Sequence, residues 1–259
     1  MQKLIITTLL SLFVSYSQAA IKVETVSYHD GQTKLQGFIY WDDAIQTQRP
    51  GILVIHEWWG LNEYSKNRAK MLAELGYVAF AIDMYGKDKA TQHPEQAKEW
   101  MGIATANIDQ WRSRANLALE LLKKHPKVNS EKTAAIGYCF GGSTVMQLAY
   151  SNAGLDGIVS FHGSLPLIET GKTNPINAKI LIAHGNKDPF LPEGHVAKFL
   201  TELDSVGADW EMITFGNTEH SFTNPQADSY GIKGVRYNEQ ADQRSWQLMQ
   251  NFFNELFKN

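Results

Sequence analysis

Cysteine is almost absent from this chain. Of 259 residues only Cys139 carries a thiol, so no internal disulfide is available and the fold must rest on its core, unlike a small stapled secreted scaffold. A basic excess is missing too. The 24 Lys and Arg stand against 27 Asp and Glu, for a formal net charge of −3, which leaves little to hold a phosphate backbone through counterion release. Nucleic acid is therefore not an expected partner. Membrane-length apolar runs are lacking: residues 4–16 form an apolar, almost uncharged run of 13, short of the ~20 that a spanning helix needs. Paired metal-ligand spacing is also lacking, because His56-Glu57 is not followed by a second histidine at the HExxH position. Neither a metal nor a cofactor is expected.

What is present at the amino terminus has the layout of a processing signal. Lys3 supplies positive charge, the apolar run follows, and Ser17 and Ala19 place small residues at the two cleavage-site positions. The expectation is a signal peptide at residues 1–19, cleaved on export, and a single domain at 20–259 in a periplasmic or secreted location. The alternatives are a buried first strand or a retained anchor. A lone thiol in an oxidising compartment is open to mixed disulfides, which argues for a purpose, although a buried structural cysteine is the other reading.

With 43% hydrophobic and 20% charged residues and 8 prolines, the composition is that of an ordinary globular protein. Strand-like and helix-like segments alternate. Residues 23–29 and 35–41 read as strands joined by a turn at Asp30-Gly31, and 51–55, 77–82, 133–136, 157–161, 180–183 and 210–215 as further strands. Helices are expected at 62–75, along a long stretch at 94–124, at 141–151, around Val196, Phe199, Leu203 and Val206, and around Trp246, Met249, Phe253 and Leu256. This alternation implies a three-layer α/β domain with a mostly parallel central sheet and helices on both faces. Ligands bind such sheets beyond the carboxyl ends of the strands.

The strongest local signal is Gly137-Tyr138-Cys139-Phe140-Gly141 at a strand-to-helix junction, the nucleophile-elbow pattern with Cys in place of Ser. The turn lifts a side chain above the sheet at a helix amino terminus, where partial positive charge favours a thiolate. A glycine-rich turn around a buried cysteine is the alternative. Later residues follow the order nucleophile, acid, histidine: Asp188 comes after the strand at 180–183, and His220 after the strand at 210–215.

The ordered set HEWWG, DMYGK, GYCFGG, HGNKDPF and EHSF resembles the dienelactone hydrolase family of α/β hydrolases, from about Val23 to Phe257. The resemblance implies Cys139 as nucleophile, His220 as base, Asp188 as the residue orienting the imidazole, and Glu57 near the sulfur as an aid to its activation. A Glu at that position could instead cap the next helix. The backbone N–H groups of Phe140 and Trp58 are the natural oxyanion donors. Dienelactone-degrading members hold the substrate carboxylate with two arginines. Here Lys87 stands near the first, and residues 220–224 offer none at the second, so another substrate is expected.

An aromatic pocket is expected from Trp58, Trp59, Tyr85, Tyr138, Phe190 and Phe222, with His162 at its strand end as a further substrate contact. Trp59 and Tyr138 could equally be core, and His162 could be tied up within its loop. Together these features point to an exported hydrolase of small carboxylic esters or lactones acting through a thioester, with a monomer expected over an oligomer. The alternatives are a thioesterase or acyltransferase using the same triad, or a non-catalytic small-molecule-binding protein.

Overall fold

Apolar runs without polar interruption need cover on both faces, and the chain supplies it with helices packed on a single sheet. The computed structural model describes residues 20–169, 171 and 175–258; the segment read as a signal peptide lies outside them. A hairpin of β1 (Ile21–Asp30) and β2 (Thr33–Asp42) opens the domain. Then follow β3 (Arg49–Ile55), α1 (Glu63–Glu74), β4 (Val78–Ile82), α2 (Pro94–Thr105), α3 (Ile108–Lys123), β5 (Val128–Tyr138), α4 (Phe140–Tyr150), β6 (Gly157–Phe161), β7 (Lys179–Gly185), α5 (His195–Ser205), β8 (Trp210–Phe215) and α6 (Glu239–Leu256), with a 3₁₀ turn at Ala227–Tyr230 before α6.

The eight strands lie in the order β1-β2-β4-β3-β5-β6-β7-β8. β1 and β2 are antiparallel to their neighbours and the other six are parallel. Period-two alternation sorts the strand side chains into two cores. Leu53, Ile55, Phe80, Ile82, Ala135, Ile158 and Ile180 face the layer that includes α3, α4 and α5. Ile52, Val54, Ala79, Ala81, Ile136, Val159 and Leu181 face the layer of α1 and α6. Each fully buried Leu, Ile, Val or Phe contributes about 1.5–3 kcal/mol, so the sheet is an anchored platform for the loops at its carboxyl edge.

Expected and observed elements agree closely except at 94–124, where two helices replace one. Asn107 adopts an extended conformation and its side chain accepts the Gln110 N–H at 3.0 Å, ending α2 and capping α3. The two outer helices on the second face are clasped together: Arg68 on α1 reaches Asp242 on α6 at 2.5 Å and also the carbonyl of Thr223. Among the described residues no helix is long and apolar enough to cross a membrane.

Candidate active site

Cys139 sits between β5 and α4 at φ +54° and ψ −112°, a conformation that L-residues rarely adopt. The turn closes because its flanks are glycine. A Cβ at Gly137 would strike the Gly141 carbonyl, and one at Gly141 would strike the carbonyl of Ile55 at the end of β3. The Cys139 side chain is half-buried over the first turn of α4, where free N–H groups and the helix dipole favour negative charge. Its backbone N–H donates to the Phe161 carbonyl at 3.0 Å and lies 3.1 Å from His162 Nδ1.

Asp188 and His220 reach the elbow from the loops after β7 and β8. His220 Nδ1 donates to Asp188 Oδ2 at 2.6 Å, and Asp188 Oδ1 accepts the Phe190 N–H at 2.9 Å. Burial alone would lower the imidazole pKa. The charge of the adjacent Cys139 sulfur and the hydrogen bond to Asp188 outweigh it and raise His220 to about 10. Asp188 and the Cys139 sulfur thus both favour the protonated form of the ring. The N–H groups of Trp58 and Phe140 find no protein acceptor among the described residues, so both remain open as donors.

Glu57 is held by the loop that carries His220. Its buried carboxylate accepts from Ser221 Oγ at 2.7 Å and from Asn224 Nδ2 at 2.6 Å, and no hydrogen bond to Cys139 is present among the described residues. Burial raises its pKa, against the two hydrogen bonds and the nearby charges of His220 and Arg68. Glu57 thus ties the loop after β3 to the loop carrying His220. Neither Ser221 nor Asn224 was expected in this role. Each partner lies more than 160 positions from Glu57, beyond the reach of any local motif.

The expected pocket lining divides into two groups. Tyr85, nearly buried, packs against His56 at 4.8 Å and Phe140 at 5.4 Å, close enough to Cys139 to feel its charge. Phe190 is half-exposed and stands edge-on to His220 at 5.0 Å, at the rim. Trp58 is partly buried beside Trp59. Four further positions are corrections. Tyr138 is fully buried on the α1/α6 side, stacked on Phe161 at 4.8 Å, because alternation along β5 turns it beneath the elbow. Phe222 is core against Phe215. Trp59 is buried and stacked at 4.2 Å on Tyr230, which lines a cleft of about 500 Å³ with Asn62, Thr91 and His93 among others.

His162 is buried behind the elbow, where its Nε2 pairs with Thr223 Oγ1 at 2.7 Å; burial and the charges of His220 and Arg68 hold its pKa well below the usual range. It supports Cys139 from below instead of contacting substrate. Lys87 is exposed, and its backbone N–H is bonded to the Lys34 carbonyl on β2. The cation that reaches the aromatic cluster is Lys89, 5.8 Å from the Trp100 ring. No group of three or more His, Cys, Asp or Glu able to share a metal ion occurs among the described residues.

Strand order, an elbow between β5 and α4, and an acid–histidine pair facing it define an α/β hydrolase. Residues 35–257 match the model of the dienelactone hydrolase family. The chain is similar to a crystallised dienelactone hydrolase-like promiscuous phosphotriesterase from metagenomic libraries, at 38% identity and a TM-score of 0.89, over 92% of this chain and 100% of that one. A second solved structure, m3DLH, is 36% identical with the same TM-score and coverage. A curated relative, the protein usf of Aquifex pyrophilus, is 27% identical over 90% of this chain and 98% of its own length. The chain belongs to the dienelactone hydrolase family, and it is a carboxylic-ester or lactone hydrolase of that type.

Proposed function

We propose that the protein is exported and hydrolyses small, largely uncharged carboxylic esters or lactones through a thioester on Cys139. The observation that carries this reading is His220 bonded through Nδ1 to Asp188 Oδ2 at 2.6 Å and set beside the Cys139 sulfur at the elbow. The thiolate attacks the substrate carbonyl carbon, and the carbonyl π electrons move to oxygen. The Phe140 and Trp58 N–H groups stabilise that oxyanion. Collapse of the adduct breaks the ester C–O bond, His220 gives its proton to the departing alkoxide, and a thioester remains. Water then attacks the thioester and passes a proton to His220. The second adduct expels the thiolate, releasing the acid and restoring the ion pair.

The surroundings of the sulfur favour apolar substrates. Tyr85, Trp58 and Phe190 are its aromatic neighbours or rim, the Lys87 ammonium is exposed, and residues 220–224 contain no arginine. The test is turnover of a panel of activated esters and small lactones by the wild type beside Cys139→Ala. Intact-mass detection of an acyl adduct on the wild type alone supports the thioester. Absence of turnover across the panel overturns the reading. Likeness to a promiscuous phosphotriesterase over the whole domain favours a second activity toward phosphate triesters, read by release of 4-nitrophenolate from such an ester and its loss in Cys139→Ala. Export rests on the pattern at residues 1–19; recovery of the protein only from the cytosolic fraction refutes it, and an intact amino terminus on the exported protein refutes cleavage after Ala19.

A further inference from the structure

We infer that His56 is a positioning residue that sets the oxyanion hole without touching substrate. The inference rests on the ester-hydrolysis reading of the same site. His56 is the first residue beyond β3, and its ring is fully buried. It lies edge-on to Tyr85 at 4.8 Å and stacked on Phe140 at 5.7 Å. Both ring nitrogens are engaged. The Met84 N–H donates to Nε2 at 3.2 Å, so that nitrogen must carry a lone pair. Nδ1 therefore bears the hydrogen and donates it to the Glu57 carbonyl at 2.5 Å. Burial lowers the pKa of His56, against the Glu57 hydrogen bond and the charge of Asp83, which keeps this neutral tautomer in place.

The consequence lies in one peptide plane. The Glu57 carbonyl and the Trp58 N–H belong to the same trans peptide and point in opposite directions. Fixing the carbonyl on the imidazole, with additional support from the Gly60 N–H at 3.3 Å, fixes the Trp58 N–H facing away from the ring. That N–H has no protein acceptor among the described residues. The Met84 contact ties in the loop that carries Tyr85. The Phe140 ring, whose own peptide N–H is the other open donor, rests on the imidazole face. One buried ring thus joins the three segments that surround the sulfur. A filler of similar size would preserve the packing but not the aim of the Trp58 N–H.

The test is a variant series, His56→Phe, His56→Asn and His56→Gln, with kcat and KM measured on an activated ester turned over by the wild type. Cys139 alkylation by iodoacetamide is measured in parallel, because that substitution forms no oxyanion. Loss of one oxyanion donor typically costs about 100- to 1,000-fold in turnover. His56→Phe is expected to lose at least tenfold in kcat, with KM within about threefold and an alkylation rate close to wild type. His56→Asn, whose amide reaches the position of Nδ1 and can donate to the Glu57 carbonyl, is expected to retain more kcat than His56→Gln. A folded His56→Phe with kcat within twofold of wild type overturns the inference. So does a parallel fall in alkylation, or, should the Phe variant not fold, a Gln variant as fast as the Asn variant. Failure of the wild type on every ester overturns instead the reading beneath it.

Discussion

Replacing Asp188 by Asn gives the sharpest test of the acid's role, because the structure dictates how the amide must sit. Oδ1 of Asp188 accepts the Phe190 N–H at 2.9 Å, and Oδ2 accepts from His220 Nδ1 at 2.6 Å. In Asp188→Asn the backbone N–H of Phe190 still requires an oxygen, so the new NH₂ group turns toward His220. An NH₂ group donates, and Nδ1 must then offer its lone pair. The ring is then held neutral with its single hydrogen on Nε2, facing Cys139, so it cannot become the imidazolium that takes up the thiol proton. In serine hydrolases the equivalent wrong tautomer costs about 10⁴ in kcat, equivalent to about 5 kcal/mol of transition-state stabilisation. The support that Asp188 gives to the imidazolium is lost together with it, so alkylation of Cys139 at pH 7 should also slow. The assay is kcat on an activated ester and the iodoacetamide rate, at equal folded content by circular dichroism. A folded Asp188→Asn protein with kcat within tenfold of wild type would refute the tautomer argument.

Three further outcomes are expected. His220 is raised from its ordinary value near 6.5 to about 10 in the folded protein. Its contribution to stability is therefore fully present below about pH 6.5 and is lost as pH rises through about 10. Urea midpoints should fall over that window in the wild type and much less in Cys139→Ala, which lacks the charge that raises the imidazole. Breaking the Arg68–Asp242 clasp on one side, as in Asp242→Asn or Arg68→Met, should cost about 3–5 kcal/mol by denaturant unfolding, because the remaining charge stays buried. The double variant Arg68→Met/Asp242→Leu should recover much of that loss. Tyr138→Phe should leave KM unchanged and stability equal or higher, since the Tyr138 hydroxyl is buried without a hydrogen-bond partner; a raised KM would return that ring to the substrate pocket.

The strands were legible because burial on both faces leaves a direct trace in sequence. Residues 51–55 and 157–161 read as uninterrupted or nearly uninterrupted apolar runs and are buried strands in the structure. The break at Asn107 was not legible: apolar positions on either side of a one-turn interruption still fall three and four apart, and only the capping bond of Asn107 separates the two helices. Around the site, chain order was enough to bring Cys139, Asp188 and His220 together, because each follows a parallel strand and all such loops open on one edge of the sheet. Assigning lining residues by nearness in sequence was less reliable. Tyr138 and Phe222 lie within two positions of triad residues but point into the core, whereas His56, which opens the HEWWG segment and was given no role there, holds the Glu57 carbonyl. The partners of Glu57 and Arg68 depend on tertiary pairings across most of the chain, and no window of sequence contains them.

The clasp between α1 and α6 also has a consequence in time. Arg68 and Glu57 are synthesised early, but the groups that pair with them, Asp242 as counter-charge and Ser221 and Asn224 as hydrogen-bond donors, belong to the last 40 residues. His220 lies in the same terminal stretch. Until that stretch docks, the thiol of Cys139 lacks the His220 imidazole, and Arg68 and Glu57 lack these partners. The final segment of the polypeptide therefore acts as both fastener and trigger: the step that completes the fold also brings His220 to the Cys139 sulfur, so a chain still emerging carries that thiol without its imidazole partner.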